Sequence, residues 1–175
     1  MLLLALLLGQ AVPAPAPQPA PTPAPCTAMA GLPAALAAWT LPGQGSPGDL
    51  TRPVVLRSLT PEGQAKLDAR PPVKTVADAL ALLNATPEPA QSGGVARIGF
   101  RIDRAGTYGI ALDQPGWIEV APKDGSALTS VAHGHGPECS TIRKIVRFDL
   151  QPGLYVLRLS KLTKPQAKVM LVAGE

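Results

Sequence analysis

The amino-acid sequence predicts an all-β fold, an antiparallel β-sandwich or jelly roll of about eight strands with one or two short helices. The main observation is that apolar and polar residues alternate in six short segments from Ala96 onward. Such alternation gives strands with one buried and one solvated face, which is typical of antiparallel sheets. The second observation is that Gly, Pro and Asp residues separate these segments, as turns between short strands require.

The alternation also predicts which side chains form the core. They are Ile98, Phe100 and Ile102; Tyr108, Ile110 and Leu112; Ile118 and Val120; Val146, Phe148 and Leu150; Tyr155, Leu157 and Leu159; and Val169 and Leu171. Two earlier segments, RPVVLRSL and GQAKLDA, are expected to add strands. One short helix is predicted from Pro33 to Trp39, because proline suits a first helical turn. A second is predicted from Thr75, a capping residue, to Ala85.

Two of the strand segments repeat one pattern, FRIDRAGTYGIAL and FDLQPGLYVLRL. In this repeat Phe100, Gly106 and Tyr108 correspond to Phe148, Gly153 and Tyr155. Each copy has an apolar strand, a turn that ends in glycine, and a second apolar strand that begins near a tyrosine. The pattern predicts two β-hairpins that serve as scaffold.

The beginning of the chain predicts export to the periplasm or the cell exterior. Residues 1–14, MLLLALLLGQAVPA, combine an apolar run, Leu2–Leu8, with small residues before a cleavage site after Ala14, which is typical of a signal peptide. The run is shorter than the about 20 residues that span a bilayer. We therefore expect no transmembrane segment after cleavage.

The sequence divides the rest of the chain into a spacer and one domain. Residues 15–26 are rich in Pro and Ala and favour an extended polyproline II spacer, and residues 27–175 are predicted to form the β-sandwich domain. The two cysteines are Cys26 and Cys139. Because oxidation is the usual fate of cysteines in exported proteins, we expect a disulfide between them, worth about 4–5 kcal/mol in the chain-entropy model.

The charge pattern excludes a nucleic-acid partner. The formal net charge is +4, and no charged residue precedes Asp49. Lys and Arg are mixed with acidic residues, whereas nucleic-acid surfaces need a basic stripe with stacking aromatics. Arg143, Lys144 and Arg147, in TIRKIVRF, are expected on a solvated strand face, with an anion site as the less favoured alternative. The expected partner is an envelope protein or a small ligand.

One segment, AHGHGPEC, has the residue types that bind metals. His133 and His135 are two apart, so on an extended segment both imidazoles lie on the same side. With Glu138 they form the ligand set that is usual for non-haem iron, and His with Cys139 would suit zinc or copper. The predicted cofactor is therefore zinc, copper or iron at His133, His135 and Glu138, unless the disulfide leaves an inert loop. No catalytic residue is assigned.

Two long segments in the second half of the chain carry a resemblance, GFRIDRAGTYGIALDQPGWIEV and SVAHGHGPECSTIRKIVRFDLQPGLYVLRLS. They resemble small exported bacterial β-sandwich proteins and, more loosely, the pre-peptidase C-terminal domains found beside secreted hydrolases. The resemblance implies a fold and no activity. Members of the group are often labelled homogentisate 1,2-dioxygenase, which implies a small non-haem iron oxygenase. His-x-His-x-x-Glu also resembles the first metal motif of cupins, although the chain lacks their further histidine.

Together these features predict a non-enzymatic exported binding or accessory module that holds a transition metal through the HGHGPEC loop. The alternative is a small metal-dependent oxygenase that uses the same His and Glu residues. Trp117 is expected to pack in the core or at a sheet edge, with a ligand-stacking platform as its alternative role.

Overall fold

The computed structural model describes residues 32–43, 45–46, 48–70, 74–75, 78, 90 and 92–174. The predicted signal peptide, the spacer and Cys26 lie outside the described residues. Within them are the 3-10 helix Ala34–Thr40, β1 Val54–Arg57, α1 Pro61–Asp68, β2 Gly94–Ile102, β3 Gly106–Leu112, β4 Trp117–Pro122, β5 Ala132–Gly134, β6 Lys144–Leu150, β7 Gly153–Leu162 and β8 Gln166–Ala173. The predicted all-β fold is confirmed.

The strands form two antiparallel sheets. The five-stranded sheet has the order β1-β8-β3-β6-β5, and the three-stranded sheet has the order β2-β7-β4. One core cluster contains buried side chains from both sheets. Every apolar position that the alternation predicted belongs to this cluster, except that Ile98 and Tyr108 are partly buried and pack against it. The period of two therefore identified the interior correctly.

The repeated pattern does not form hairpins, contrary to the prediction. β2 belongs to the three-stranded sheet and β3 to the five-stranded sheet, and β6 and β7 are divided in the same way. Each copy of the repeat is thus an arch that crosses between the sheets. The two arches pair with each other, β2 with β7 and β3 with β6, which sets Phe100 opposite Tyr155 and Tyr108 opposite Phe148. Hydrophobic periodicity gives the same signal for an arch and a hairpin.

Each arch is closed by a tyrosine hydroxyl. Tyr108 donates a hydrogen bond of 2.8 Å to the carbonyl oxygen of Arg104. Tyr155 donates to the carbonyl oxygen of Gln151 at 2.9 Å and accepts from its N–H at 3.0 Å. The Tyr155 ring also stacks on Phe100, with centroids 5.7 Å apart. In both turns, therefore, the tyrosine hydroxyl bonds to the backbone of the residue four positions earlier in the chain.

The five-stranded sheet is covered on its outer face as well. The predicted first helix is present as the 3-10 helix, which buries Leu36 and Trp39. They pack with Met170 and Val172 of β8 in a second apolar cluster. The Trp39 indole N–H donates to the Thr141 hydroxyl at 2.8 Å. This helix makes the outer face of the larger sheet a second core.

Lys168 fastens the end of the 3-10 helix to β8. Its Nζ atom donates to the carbonyl oxygens of Trp39 at 2.7 Å and Leu41 at 3.0 Å. The same ammonium group lies 5.1 Å from the centroid of the Trp39 ring, within cation–π range. Burial lowers the pKa of Lys168, an effect that the carboxylate of Asp113 opposes.

The other local predictions have mixed outcomes. RPVVLRSL forms β1 as expected, but GQAKLDA is wrong as a strand because most of it lies in α1. Thr60 caps that helix by accepting from the Gly63 N–H, and Pro61 occupies its first position. At the predicted second helix, the Thr75 hydroxyl accepts from the Asp78 N–H at 3.1 Å. Most of that helix lies outside the described residues.

The connection from β3 to β4 is fixed by a buried amide. Gln114 is fully buried. Its Oε1 atom accepts from the N–H groups of Thr163 and Lys164, both at 2.8 Å, and its Nε2 atom donates to the carbonyl oxygen of Gln166 at 2.7 Å. These bonds join the connection to the β7–β8 turn and so position the residues that follow. Neither helix among the described residues is long and apolar enough to cross a membrane.

Replacement of the two tyrosines should separate their contributions to stability. Tyr155→Phe removes both partly buried bonds between the hydroxyl group and the Gln151 backbone, so we expect a loss of about 1–2 kcal/mol in the free energy of unfolding. Tyr108→Phe removes one bond at an exposed position and should cost less than about 0.5 kcal/mol. Urea denaturation of the two variants gives the comparison. Equal losses would contradict the roles assigned to the two hydroxyl groups.

The carboxyl of Asp113 should make stability depend on pH. Burial raises its pKa above the ordinary 3.8, despite a hydrogen bond from the Lys168 N–H and the nearby Lys164 charge. A raised pKa gives stability that is present below the ordinary value and lost as the pH rises through the folded-state value. Asp113→Asn keeps the acceptor oxygen and stays neutral.

We therefore expect Asp113→Asn to have the higher melting temperature at about pH 7, with a difference that shrinks as the pH falls towards about 4. Thermal unfolding across this range measures the difference. If the wild type were instead more stable than Asp113→Asn at neutral pH, the charged carboxylate of Asp113 would stabilise the folded protein.

Candidate ligand-binding cleft

The segment with the two histidines begins as a strand, whereas the sequence predicted a loop throughout. β5 forms the edge of the five-stranded sheet, and His133 lies opposite Val146 of β6. Val146 belongs to the core, so His133 is on the inner face of its strand, at the open edge of the sandwich. His135 is two residues further along, and the structure brings both imidazoles to one cavity.

This cavity and a neighbouring one form the cleft. The first has a volume of about 340 Å³ and is lined by Pro115, Gly116, His133, Gly134, His135, Arg143 and Lys144. The second, of about 240 Å³, is lined by Trp117, Ile118, Ser130, His133, Lys144 and Val146. His133 and Lys144 line both. The cleft thus lies where the start of β4 approaches β5 and β6.

Backbone contacts hold the cationic side of the cleft. The Arg143 N–H donates to the carbonyl oxygen of Leu112 at 2.7 Å, which anchors the residue before β6. The Lys144 ammonium donates to the carbonyl oxygen of Gly116 at 2.9 Å and so bridges the two sheets. The Nδ1 atom of His135 lies 3.4 Å from the carbonyl oxygen of Arg143. Lys144 is therefore preorganised, with two donors left for a ligand.

The cleft is electrostatically one-sided. Arg143 and Lys144 contribute cations, and none of the described residues that line it is acidic. Its second cavity has a floor of Ile118 and Val146, which are 6% and 7% exposed. An apolar floor beside convergent polar groups is the usual form of a small-molecule site. The sequence predicted a solvated strand face for Arg143, Lys144 and Arg147, with an anion site as the alternative. Arg143 is exposed and Lys144 is partly exposed, and both line the cleft.

Glu138 is not part of the cleft. It is exposed on the turn at 137–140 and does not line either cavity. Among the described residues no three His, Cys, Asp or Glu side chains are grouped to hold a metal ion. The structure therefore brings together His133 and His135 of the predicted ligand set, and the metal itself stays a prediction.

Cys139 lies on the same exposed turn. Its φ is 61°, in the left-handed region that residues with a Cβ atom rarely adopt. The Ser140 hydroxyl closes the turn by donating to the carbonyl oxygen of Pro137 at 2.6 Å. The described part of the chain contains no free cysteine. Because Cys26 lies outside the described residues, its pairing with Cys139 stays a prediction.

Trp117 lies at a sheet edge and not in the core, which is one of the two placements that the sequence predicted. Its side chain is 62% exposed, whereas the chain's other tryptophan, Trp39, is fully buried. The sequence contained a signal for this exposure, because successive residues of a strand point to opposite faces of the sheet. Ile118 and Val120 point inward, so Trp117 points outward. It stands at the edge of the three-stranded sheet and forms a wall of the cleft.

No family model, curated protein or solved structure matches the chain. The resemblance to exported β-sandwich proteins, to pre-peptidase C-terminal domains and to proteins labelled homogentisate 1,2-dioxygenase therefore stays a prediction. The fold class rests on the two sheets and their shared core, and the candidate site on the residues that line the cleft.

Two glycines beside the cleft should respond differently to substitution. A Cβ atom at Gly136 would overlap the carbonyl oxygen and side chain of Ile142, whereas one at Gly134 would meet open space. We expect Gly136→Ala to lower the free energy of unfolding by about 1–3 kcal/mol. Gly134→Ala is the matched control and should leave stability within about 0.5 kcal/mol of the wild type. Similar effects of both changes on urea denaturation would contradict the placement of Gly136.

Proposed function

We propose that this protein is an exported, non-enzymatic binding module that holds a small organic anion in the cleft. The observation that carries this proposal is the combination of Arg143 and Lys144 with an apolar floor, and with no acidic residue among the described lining residues. A cavity of this composition favours a ligand that has an acidic group at one end and an apolar body at the other.

The chemistry of each wall supports the assignment. A guanidinium group binds a carboxylate or phosphate through two parallel hydrogen bonds, and an ammonium group adds a compact charge. Lys144 is already oriented by its bond to Gly116, so little side-chain freedom is lost on binding. Ile118 and Val146 offer apolar contact to the body of the ligand.

The sequence supports an exported location for this module. The apolar run Leu2–Leu8 and the small residues after it have the composition of a signal peptide. The Pro/Ala-rich residues 15–26 would then separate the domain from its point of attachment or release. A Cys26–Cys139 disulfide would join the end of that spacer to the turn beside the cleft.

A transition metal is the second candidate ligand, because His133 and His135 line the same cavity. Zinc, copper or iron would take both imidazoles, with further ligands from water or from the bound anion. The nearby Arg143 and Lys144 cations oppose this by charge repulsion. The oxygenase alternative is favoured less, because Glu138 does not line the cavity with the histidines.

The experiment is a calorimetric titration of the protein with phenyl phosphate and benzoate, beside the neutral analogue benzyl alcohol. We expect the anions to bind with micromolar to millimolar affinity and to weaken as salt is added, and the alcohol not to bind. Arg143→Gln/Lys144→Met should weaken anion binding by at least about tenfold. The matched control is Arg101→Gln/Lys123→Met, which removes the same charge from exposed positions outside the cleft.

Titration with zinc, copper(II) and iron(II) separates the two ligands. A metal that binds with sub-micromolar affinity to the wild type and not to His133→Ala/His135→Ala, in a protein that binds no anion, would show that the ligand of the cleft is a metal. Equal affinity for the acids and the alcohol would contradict an anion site in the cleft. An equal loss of anion affinity in Arg143→Gln/Lys144→Met and in its control, Arg101→Gln/Lys123→Met, would also contradict it.

A further inference from the structure

A second concave surface lies on the outer face of the three-stranded sheet. It is a groove of about 360 Å³ between α1 and the sheet. Gln64 and Asp68 of α1 form one side, and Trp117, Glu119 and Arg158 are among the sheet residues that line it. The groove shares only Trp117 with the described lining of the cleft.

Trp117 gives the groove an exposed apolar wall. Its indole is 62% exposed and is the one aromatic side chain among the described residues of the groove. It lies opposite Ser160 in the β4–β7 pair, so a small polar side chain adjoins the ring. A large planar side chain that folding leaves in water costs little conformational entropy when it takes up a ligand. This favours a ligand with a flat apolar face.

The charges of the groove are balanced, unlike those of the cleft. Arg97 pairs with Asp68 at 3.2 Å, and Arg158 pairs with Glu119 at 2.7 Å. The side chains are about a third to a half exposed, so their remaining donors and acceptors reach the solvent of the groove. Fixed donors beside fixed acceptors, with no net charge, suit a ligand whose groups both donate and accept hydrogen bonds.

We propose that this groove binds a neutral saccharide. One sugar ring stacks its C–H face on the Trp117 indole, and its hydroxyl groups bond to Arg158, Glu119 and the Gln64 amide. A hydroxyl group donates to a carboxylate and accepts from a guanidinium, which is the arrangement that the ion pairs offer. A proline-rich peptide would need a row of aromatic ridges. This site is separate from the proposed anion site.

The two tryptophans make the test direct. Trp39 is fully buried and Trp117 is exposed, so acrylamide should quench Trp117 and spare Trp39. We expect cellohexaose, chitohexaose or maltohexaose at millimolar concentration to protect Trp117 of the full chain from quenching, in a saturable manner. In Trp117→Ala the remaining unquenched Trp39 emission shows that the domain is folded.

Variants then locate the site. Calorimetry with the protecting sugar should show affinity reduced by at least about tenfold in Trp117→Ala and Arg158→Ala, and largely kept in Trp117→Phe. Arg143→Gln keeps the bond from Lys144 to Gly116 beside Trp117 and should bind the sugar as the wild type does, so that failure at the cleft and failure at the groove are told apart. Failure of all three sugars to protect Trp117, or sugar binding that persists in Trp117→Ala, would overturn the proposal. If the peptide PAPAPQPAPT protects Trp117 from quenching and none of the sugars does, the ligand of the groove is a peptide and not a saccharide.

Discussion

The mutual pairing of two sheet-crossing arches is the constraint on which the rest of the structure depends. Each arch sends one strand into each sheet, so the two arches pair with each other in both sheets, β2 with β7 and β3 with β6. The Phe100–Tyr155 and Tyr108–Phe148 pairs lie at corresponding positions in the two sheets. A tyrosine hydroxyl closes each turn. The spacing and alignment of the sheets therefore follow from one repeated sequence pattern.

Within the part of the chain that the structure describes, one edge of the sandwich is open, and the cleft lies there. β4 and the short β5 are edge strands of different sheets, and they do not pair with each other. Lys144 bridges part of the gap by its bond to Gly116, while Gln114 fixes the chain that leads to Trp117. At this edge the buried core residues Ile118 and Val146 line the cavity beside polar rim residues. That is why an apolar floor and a cationic wall occur together.

Charge divides the molecule into two surfaces of different chemistry. In the cleft the cations are unbalanced by any acidic residue among the described lining, which favours an anion. In the groove each guanidinium has a carboxylate partner, which favours a neutral polar ligand. Trp117 lines both, because it lies on β4, and no described strand pairs with the outer edge of β4.

The sequence by itself determined most of the strands and the core positions, because burial on one face imposes a period of two on any strand. It also indicated the first helix, but it placed a strand where α1 lies and a loop where β5 lies. It also identified His133 and His135 as candidate ligands, and both line one cavity of the structure. Only the tertiary structure decided that the repeat forms arches, since a period of two does not show which sheet a strand joins. That Arg143, Lys144 and Trp117 line cavities was also decided there. Whether a polar side chain faces bulk water or a cleft depends on which strands end beside it, and that arrangement is a property of the packed sheets.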